Sequence, residues 1–200
     1  VTKLTFPKFE GLPQFEVETA IGTVTVRPRP LEWDEEFAEK FTLAYDQMDL
    51  SFYLAESDPK RGGKDVAVQR HLIIPRDDFY KGKRFSFDFF NSEGELIGGR
   101  AVTDINLEEE SCAFGWAVMC EQYRGKGIMP AVTAVLAEWV REYGFRTIEA
   151  HIHENNTSSQ DHVSKIGFVN TGVRKKAPEG APEHTRARAH AHFIWVYDPK

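Results

Sequence analysis

Apolar residues recur along this chain in two periods, and the places where one gives way to the other mark out its elements. Thr23, Val24, Thr25 and Val26 alternate, predicting a first strand over 22–27 that Pro28 and Pro30 end. Trp33, Phe37, Phe41 and Tyr45 then fall four apart behind an acidic first turn, which predicts a helix over 31–48. Residues 57–64 read as a loop, and a second helix is expected from Asp65 to about Ile74, ended by Pro75. Phe85, Phe87 and Phe89 alternate with polar partners. Residues 91–94 form a turn, 95–105 return as a strand, and a loop at 107–110 leads to a third strand over 112–119. Three sequential strands with short turns imply an antiparallel meander.

Then the period changes. Val132, Val135, Leu136, Trp139, Val140 and Tyr143 follow the spacing of one helix face, with Pro130 in the first turn and Gly144 at the end. A strand over 147–153, a short helix over 158–166 stopped by Gly167, and two strands near 168–174 and 189–197 around a Pro/Gly loop at 177–184 complete the chain. The order implies a mixed α/β (α+β) domain. Residues 1–20 show no clear period and read as an N-terminal extension on a single domain over 21–200.

Composition narrows this picture. With 41 % hydrophobic and 28 % charged residues, the chain has enough apolar material for a core, and fifteen Phe with four Trp make it aromatic. A net charge of −6 argues against a general attraction to nucleic acid or anionic membrane, and favours a basic peptide or polyamine as partner. No apolar run approaches the ~20 residues that span a bilayer, and the start has no signal-peptide stretch. Cys112 and Cys120, on one strand, would lie roughly 26 Å apart, beyond the ~7 Å a disulfide allows. Free thiols suit the cytoplasm. The sequons at Asn155 and Asn156 read as chance.

The densest chemistry lies at Glu121-Gln-Tyr-Arg-Gly-Lys-Gly-Ile-Met-Pro, between a strand and the strongest helix. Gly125 and Gly127 permit positive φ and a close backbone approach. Amides of such a turn, with the helix N-terminus behind them, form a site for a pyrophosphate, and Arg124 and Lys126 add charge. A tight turn with no ligand is the alternative. A nucleotide-triphosphate loop is disfavoured because no Ser or Thr follows a Gly-Lys pair, and a dinucleotide fold because the preceding strands look antiparallel.

The run Tyr123-Arg-Gly-Lys-Gly-Ile-Met resembles the acetyl-CoA motif of the GNAT superfamily, with Arg124, Gly127 and Met129 in the motif's places. Asn156-Thr-Ser-Ser159 followed by Ile166-Gly-Phe168 resembles the second signature, and Phe114-Gly-Trp-Ala-Val-Met is similar to a strand of the RimJ/RimL-type branch. That resemblance implies a central, mostly antiparallel sheet of six to seven strands, splayed at the acyl-CoA site, with helices on both faces. It implies acetyl-CoA as co-substrate and no metal. Its cofactor-binding positions are Val118 or Met119 on the strand, Arg124, Gly125, Lys126, Gly127, Ile128 and Met129 in the turn, and Asn156 and Ser159. Capping of the short helix is the alternative for the last two. Val163 stands where many relatives have a Tyr that protonates the leaving thiolate, which leaves Ser159 to hydrogen-bond the sulfur.

Attack on a thioester needs a neutral amine, so a base is required. On the strand 147–153, Glu149, His151 and His153 share a face. His151 lies five residues before Asn156, the offset at which related amino-terminal acetyltransferases carry a base. It is the first choice, His153 the second, and Glu149 a group that orients a ring. Glu110 and Asp104 are rivals acting through water. Alternation after Ala187 predicts that Arg188, His190 and His192 share a face lining the substrate or open to solvent, with a zinc site disfavoured. The function expected is acetyl transfer to a primary amine, a protein N-terminus or a small molecule, by a monomer or homodimer. A non-catalytic acyl-CoA-binding module is the second reading. The resemblance implies an acceptor site built from 31–80 and 177–190.

Overall fold

The computed structural model describes residues 3–46, 48, 63–177 and 179–199. Among them, β1 (Phe15–Thr19), β2 (Gly22–Pro28), β3 (Phe85–Phe90), β4 (Leu96–Asn106), β5 (Ser111–Met119), β6 (Thr147–His153), β7 (Phe168–Arg174) and β8 (His192–Tyr197) form one sheet. Its order is β1-β2-β3-β4-β5-β6-β8-β7. All neighbours pair antiparallel except β5 and β6, which are parallel. The sheet has eight strands rather than the six or seven expected. Residues read as an aperiodic extension supply β1, pairing Phe15 with Val26 and Val17 with Val24. Thr25 Oγ1 donates to Glu16 Oε2 across that pair at 2.9 Å.

Strand alternation divides the core between the two faces. Phe85, Phe87 and Phe89 lie on one face, packed against α4 (Ile128–Tyr143), which buries Ile128, Val132, Leu136, Ala137 and Val140. Trp139 sets its ring edge-on to Phe85 and Phe87 at 5.7 and 5.9 Å. On the other face α1 (Glu35–Asp46) packs Ala38, Phe41 and Tyr45 with Leu72 and Val118. Asp88 points there too, 1 % exposed, bonded by Arg29 Nε at 3.0 Å and by Tyr45 Oη at 2.7 Å. Tyr45 reaches it across Gly99, where a Cβ would collide with its hydroxyl.

Two expected boundaries shift. Helix α1 is shorter than 31–48, and the second helix does not end at Pro75. Helix α2 (Gly63–Val68) runs through a wide π turn at Gln69–Ile73 into α3 (Ile74–Tyr80), whose first turn holds Pro75. Proline has no N–H to give the carbonyl four residues back. That carbonyl, on His71, accepts from Arg29 Nη1 at 3.0 Å instead. Of the predicted loop over 57–64, residues 57–62 lie outside the described residues, and 63 and 64 open α2. At the C-terminus the expected strand over 189–197 is split: α6 (Glu183–His190) precedes β8, so Arg188, His190 and His192 do not share a strand face.

Candidate active site

The site begins with a defect in β5. Gly99 pairs with Val118 and Ala101 with Gly115, so Trp116 and Ala117 together oppose Arg100. This is a β-bulge, and Trp116 takes φ 47° within it. The parallel pairing of β5 with β6 runs from Ser111–Thr147 to Phe114–Ala150 and stops there. Beyond it the strands part, the expected splay. A cavity of about 110 Å³ opens in the gap, lined among others by Gly115, Ala117, His153, Asn156 and Ser159.

The ladder separates the backbone directions of Val118 and Met119. Cys120 N donates to Ile97 O at 2.9 Å. Hydrogen-bonded pairs alternate along an antiparallel ladder, so Val118 turns its backbone groups toward β4 and Met119 turns its own toward the splay. Val118 instead buries its side chain beside Tyr45.

The turn at Arg124 leads into α4 as expected. Gly125 and Gly127 take φ 71° and 75°, and Gly127 caps α4 with no side-chain hydrogen bond. Residues 124–127 are exposed, while Ile128 anchors the first turn at 1 % exposure. Since Pro130 has no N–H, the Ile128 and Met129 amides are the orphans of that turn. Lys126 sits over the Tyr123 ring at 5.6 Å, and Arg124 Nε folds back to Met119 O at 3.3 Å.

Asn156 caps α5 (Thr157–Lys165), its Oδ1 accepting from Ser159 N at 3.1 Å. The capping alternative is therefore realised for the oxygen. Nδ2 and the Ser159 hydroxyl have no hydrogen-bond partner among the described residues, and both side chains line the cavity. One turn along α5, His162 also lines it, with Nε2 at 3.3 Å from Thr133 Oγ1. Burial, helped by Arg100, pushes its pKa down to about 3, so its ring is neutral near pH 7. Only its place three residues after Ser159 pointed to it in the sequence.

His151 stands where this cavity meets a larger hollow of about 730 Å³. Its side chain is 15 % exposed. Nε2 lies 2.7 Å from Glu149 Oε2, and a carboxylate only accepts, so Nε2 carries the proton. Nδ1 is 2.8 Å from Lys175 Nζ and 3.4 Å from Asp104 Oδ2, and Lys175 Nζ is 3.1 Å from the same oxygen. A neutral ring accepts from the ammonium there. Contact with the His151 ring is the main cause holding Asp104 well below the usual carboxylate range, with the Lys175 ammonium assisting against burial. Asp104 thus contacts the ring directly, not through water.

The other candidates fare differently. His153 engages Nδ1 with Asn155 N at 3.1 Å, so the lone pair of the neutral ring is already occupied. His192 sits edge-on to it at 5.2 Å. Glu110 pairs with Arg146 at the opposite end of the β5–β6 pair, away from the splay. Both cysteines are free thiols. Burial pushes Cys112 up to about 12 and also raises Cys120, which suits neither to nucleophilic attack. No cluster able to hold a metal ion occurs among the described residues, and no helix there is long and apolar enough to cross a membrane.

A splayed parallel pair, a bulged strand and an uncapped glycine turn thus lie together at one end of β5. Residues 27–169 match the family model described as "Acetyltransferase (GNAT) domain". The chain therefore belongs to the GNAT acetyltransferases and is an acyl-CoA-dependent N-acyltransferase with acetyl-CoA as its co-substrate. Among solved structures it is similar to Mycobacterium smegmatis RimJ in complex with CoA-disulfide (TM-score 0.68, 17 % identity, 92 % of this chain and 85 % of that one). It is also similar to the ribosomal-protein-S5-alanine acetyltransferase of Vibrio fischeri (0.64, 20 %, 92 % and 94 %). A third is a spermidine N-acetyltransferase, SpeG, of Vibrio cholerae (0.57, 13 %, 86 % and 93 %). At these identities the likeness concerns the fold. No curated protein is a significant sequence match to the chain.

Proposed function

We propose that this enzyme transfers an acetyl group from acetyl-CoA directly to a primary amine, on a protein N-terminus or a small molecule, with His151 as the base. The observation that carries the reading is the ammonium of Lys175 on His151 Nδ1 while Glu149 fixes the other nitrogen. Lys175 stands in for an acceptor. A substrate ammonium in its place gives a proton to Nδ1 and becomes nucleophilic. Its nitrogen then bonds the thioester carbon, and the C–S bond breaks as the tetrahedral intermediate collapses. The outward Met119 N–H meets the oxyanion. Ser159 hydrogen-bonds the departing sulfur, and the second proton that the nitrogen sheds on collapse reaches that sulfur through water, because Val163 has none to give.

The amides of Arg124, Gly125, Lys126, Gly127, Ile128 and Met129 take the pyrophosphate, and Asn156 Nδ2 with the Met119 edge takes the pantetheine. Val118 serves only as the anchor of that edge. His153 lines the acyl end without acting as base. The residues around the larger hollow include Asp78 of α3, Lys83 and Arg84 before β3, and Thr185 and Ala189 of α6, which supports an acceptor site there. Neighbours named for ribosomal-protein and spermidine substrates support an amine acceptor. We take residues 21–200 as one domain with 1–20 as its extension, acting in the cytoplasm, which two free cysteines favour, as a monomer or homodimer. The test is thiol release from acetyl-CoA with a panel of primary amines. Amine-dependent release supports the reading, and tight acetyl-CoA binding without any turnover contradicts it.

A further inference from the structure

The chain carries a net charge of −6, yet the hollow beside His151 has the opposite sign. Asp104 is matched with Lys175. Among the described lining residues Asp78 is then the remaining carboxylate, against Lys83, Arg84 and Lys176. Arg84 is the informative one. It lies just before β3, 6 % exposed, with its guanidinium over the Trp116 ring at 5.6 Å. Its hydrogen bond runs from Nε to the neutral Ser86 Oγ at 3.0 Å, and no carboxylate pairs with it among the described residues. Burial, with the charge of Arg29 behind it, pushes its pKa down to about 10. Removing a guanidinium from water is costly unless an opposite charge meets it. A planar carboxylate, carrying one charge and two oxygens, matches one guanidinium fork.

We propose that the acceptor carries a carboxylate near its primary amine, with Arg84 binding that carboxylate while Asp104 and His151 hold the ammonium. This rests on the transferase reading above and narrows its substrate class. It also reverses the expectation of a polyamine or basic peptide drawn from the overall charge. A polyamine would bring only positive charge to Lys83, Arg84 and Lys176.

The test compares four acceptors at saturating acetyl-CoA. They are a peptide whose free amino terminus is followed by two aspartates, the same peptide with asparagines, free glutamate, and spermidine. The aspartyl peptide or glutamate should show a KM at least tenfold below those of the asparaginyl peptide and spermidine. Which of the two leads tells a peptide source from a free amino acid. Arg84→Gln should erase the preference while the KM for acetyl-CoA holds. Because Arg84 is buried and that variant risks misfolding, Lys83→Gln and Lys176→Gln on the rim serve as second probes. Each should raise the KM of the acidic acceptor about threefold, less so in high salt. Equal KM for acidic and neutral acceptors, a preference for spermidine, or a folded Arg84→Gln that keeps the preference overturns the proposal. Failure to turn over any amine overturns the transferase reading instead.

Discussion

Replacing His151 by glutamine separates a base from a structural histidine. The ring is held at both nitrogens, by Glu149 at 2.7 Å and by the Lys175 ammonium at 2.8 Å. Glutamine keeps a comparable size and some hydrogen bonding but takes no proton near neutral pH. Loss of a positioned general base costs about 10²–10⁴-fold, or ~2.7–5.5 kcal/mol of transition-state stabilisation. Since Nδ1 already touches an ammonium with no water between, the upper part of that range is expected. The acidic limb of kcat/KM should vanish with the side chain. Affinity for acetyl-CoA should hold, because Nδ1 faces the acceptor hollow. Glu149→Gln is the companion variant. It still offers an oxygen to Nε2–H, so the ring stays oriented while the charge that supports a cationic ring is lost, and a loss of roughly tenfold is expected. Steady-state kinetics between pH 5 and 9 reads both. Activity of His151→Gln within threefold of wild type, with the same acidic limb, would refute the reasoning.

Ser159→Ala should lower kcat by about tenfold or less, the worth of one neutral hydrogen bond to sulfur; a loss of several thousandfold would make Ser159 an obligatory proton donor. Gly99→Ala should destabilise the fold by about 1–3 kcal/mol through overpacking, since its Cβ would collide with Tyr45 Oη. Thermal melts should show partial recovery when Tyr45→Phe is added, and an unchanged melting temperature in the single variant would contradict the packing described. Asp104 has a lowered carboxyl, so its stabilisation is present above the unfolded value of ~3.9 and fades as pH falls through the folded one. The stability gap between wild type and Asp104→Asn should be at most about 1 kcal/mol at this half-exposed site and should close on acidification; a gap that widens toward low pH would reverse the sign.

Much of the framework was legible because it is periodic. Strand β6 and helix α4 announce themselves by alternation and by a clean apolar stripe, and the glycine turn between β5 and α4 by composition. What escaped lacks a local signal. β1 places Val17 inward between Glu16 and Glu18, too short an alternation to stand out among prolines and scattered aromatics. Residues 187–192 alternate Ala with Arg and His, a pattern that suits a strand, yet Ala and Arg are strong helix formers and the segment through His190 is helical. Pro75 looked like a stop because the sequence does not reveal that Arg29, forty-odd positions earlier, satisfies the freed carbonyl of His71. The same holds at the site. His151 and Glu149 could be paired from strand alternation. Their meeting with Asp104 and Lys175, and the burial of Arg84 beside Trp116, depend on strands and loops distant in sequence.

The central claim is that the turn before α4 holds acyl-CoA. Gly127 sits at φ 75°, and a Cβ added there would meet nothing within 4 Å, so a side chain at this position points into open space where the pyrophosphate would lie. Calorimetric titration of CoA into wild type and Gly127→Asp, with folding verified by circular dichroism, tests this directly. The account predicts saturable binding to the wild type and its loss in the folded variant; undiminished affinity in folded Gly127→Asp would contradict it.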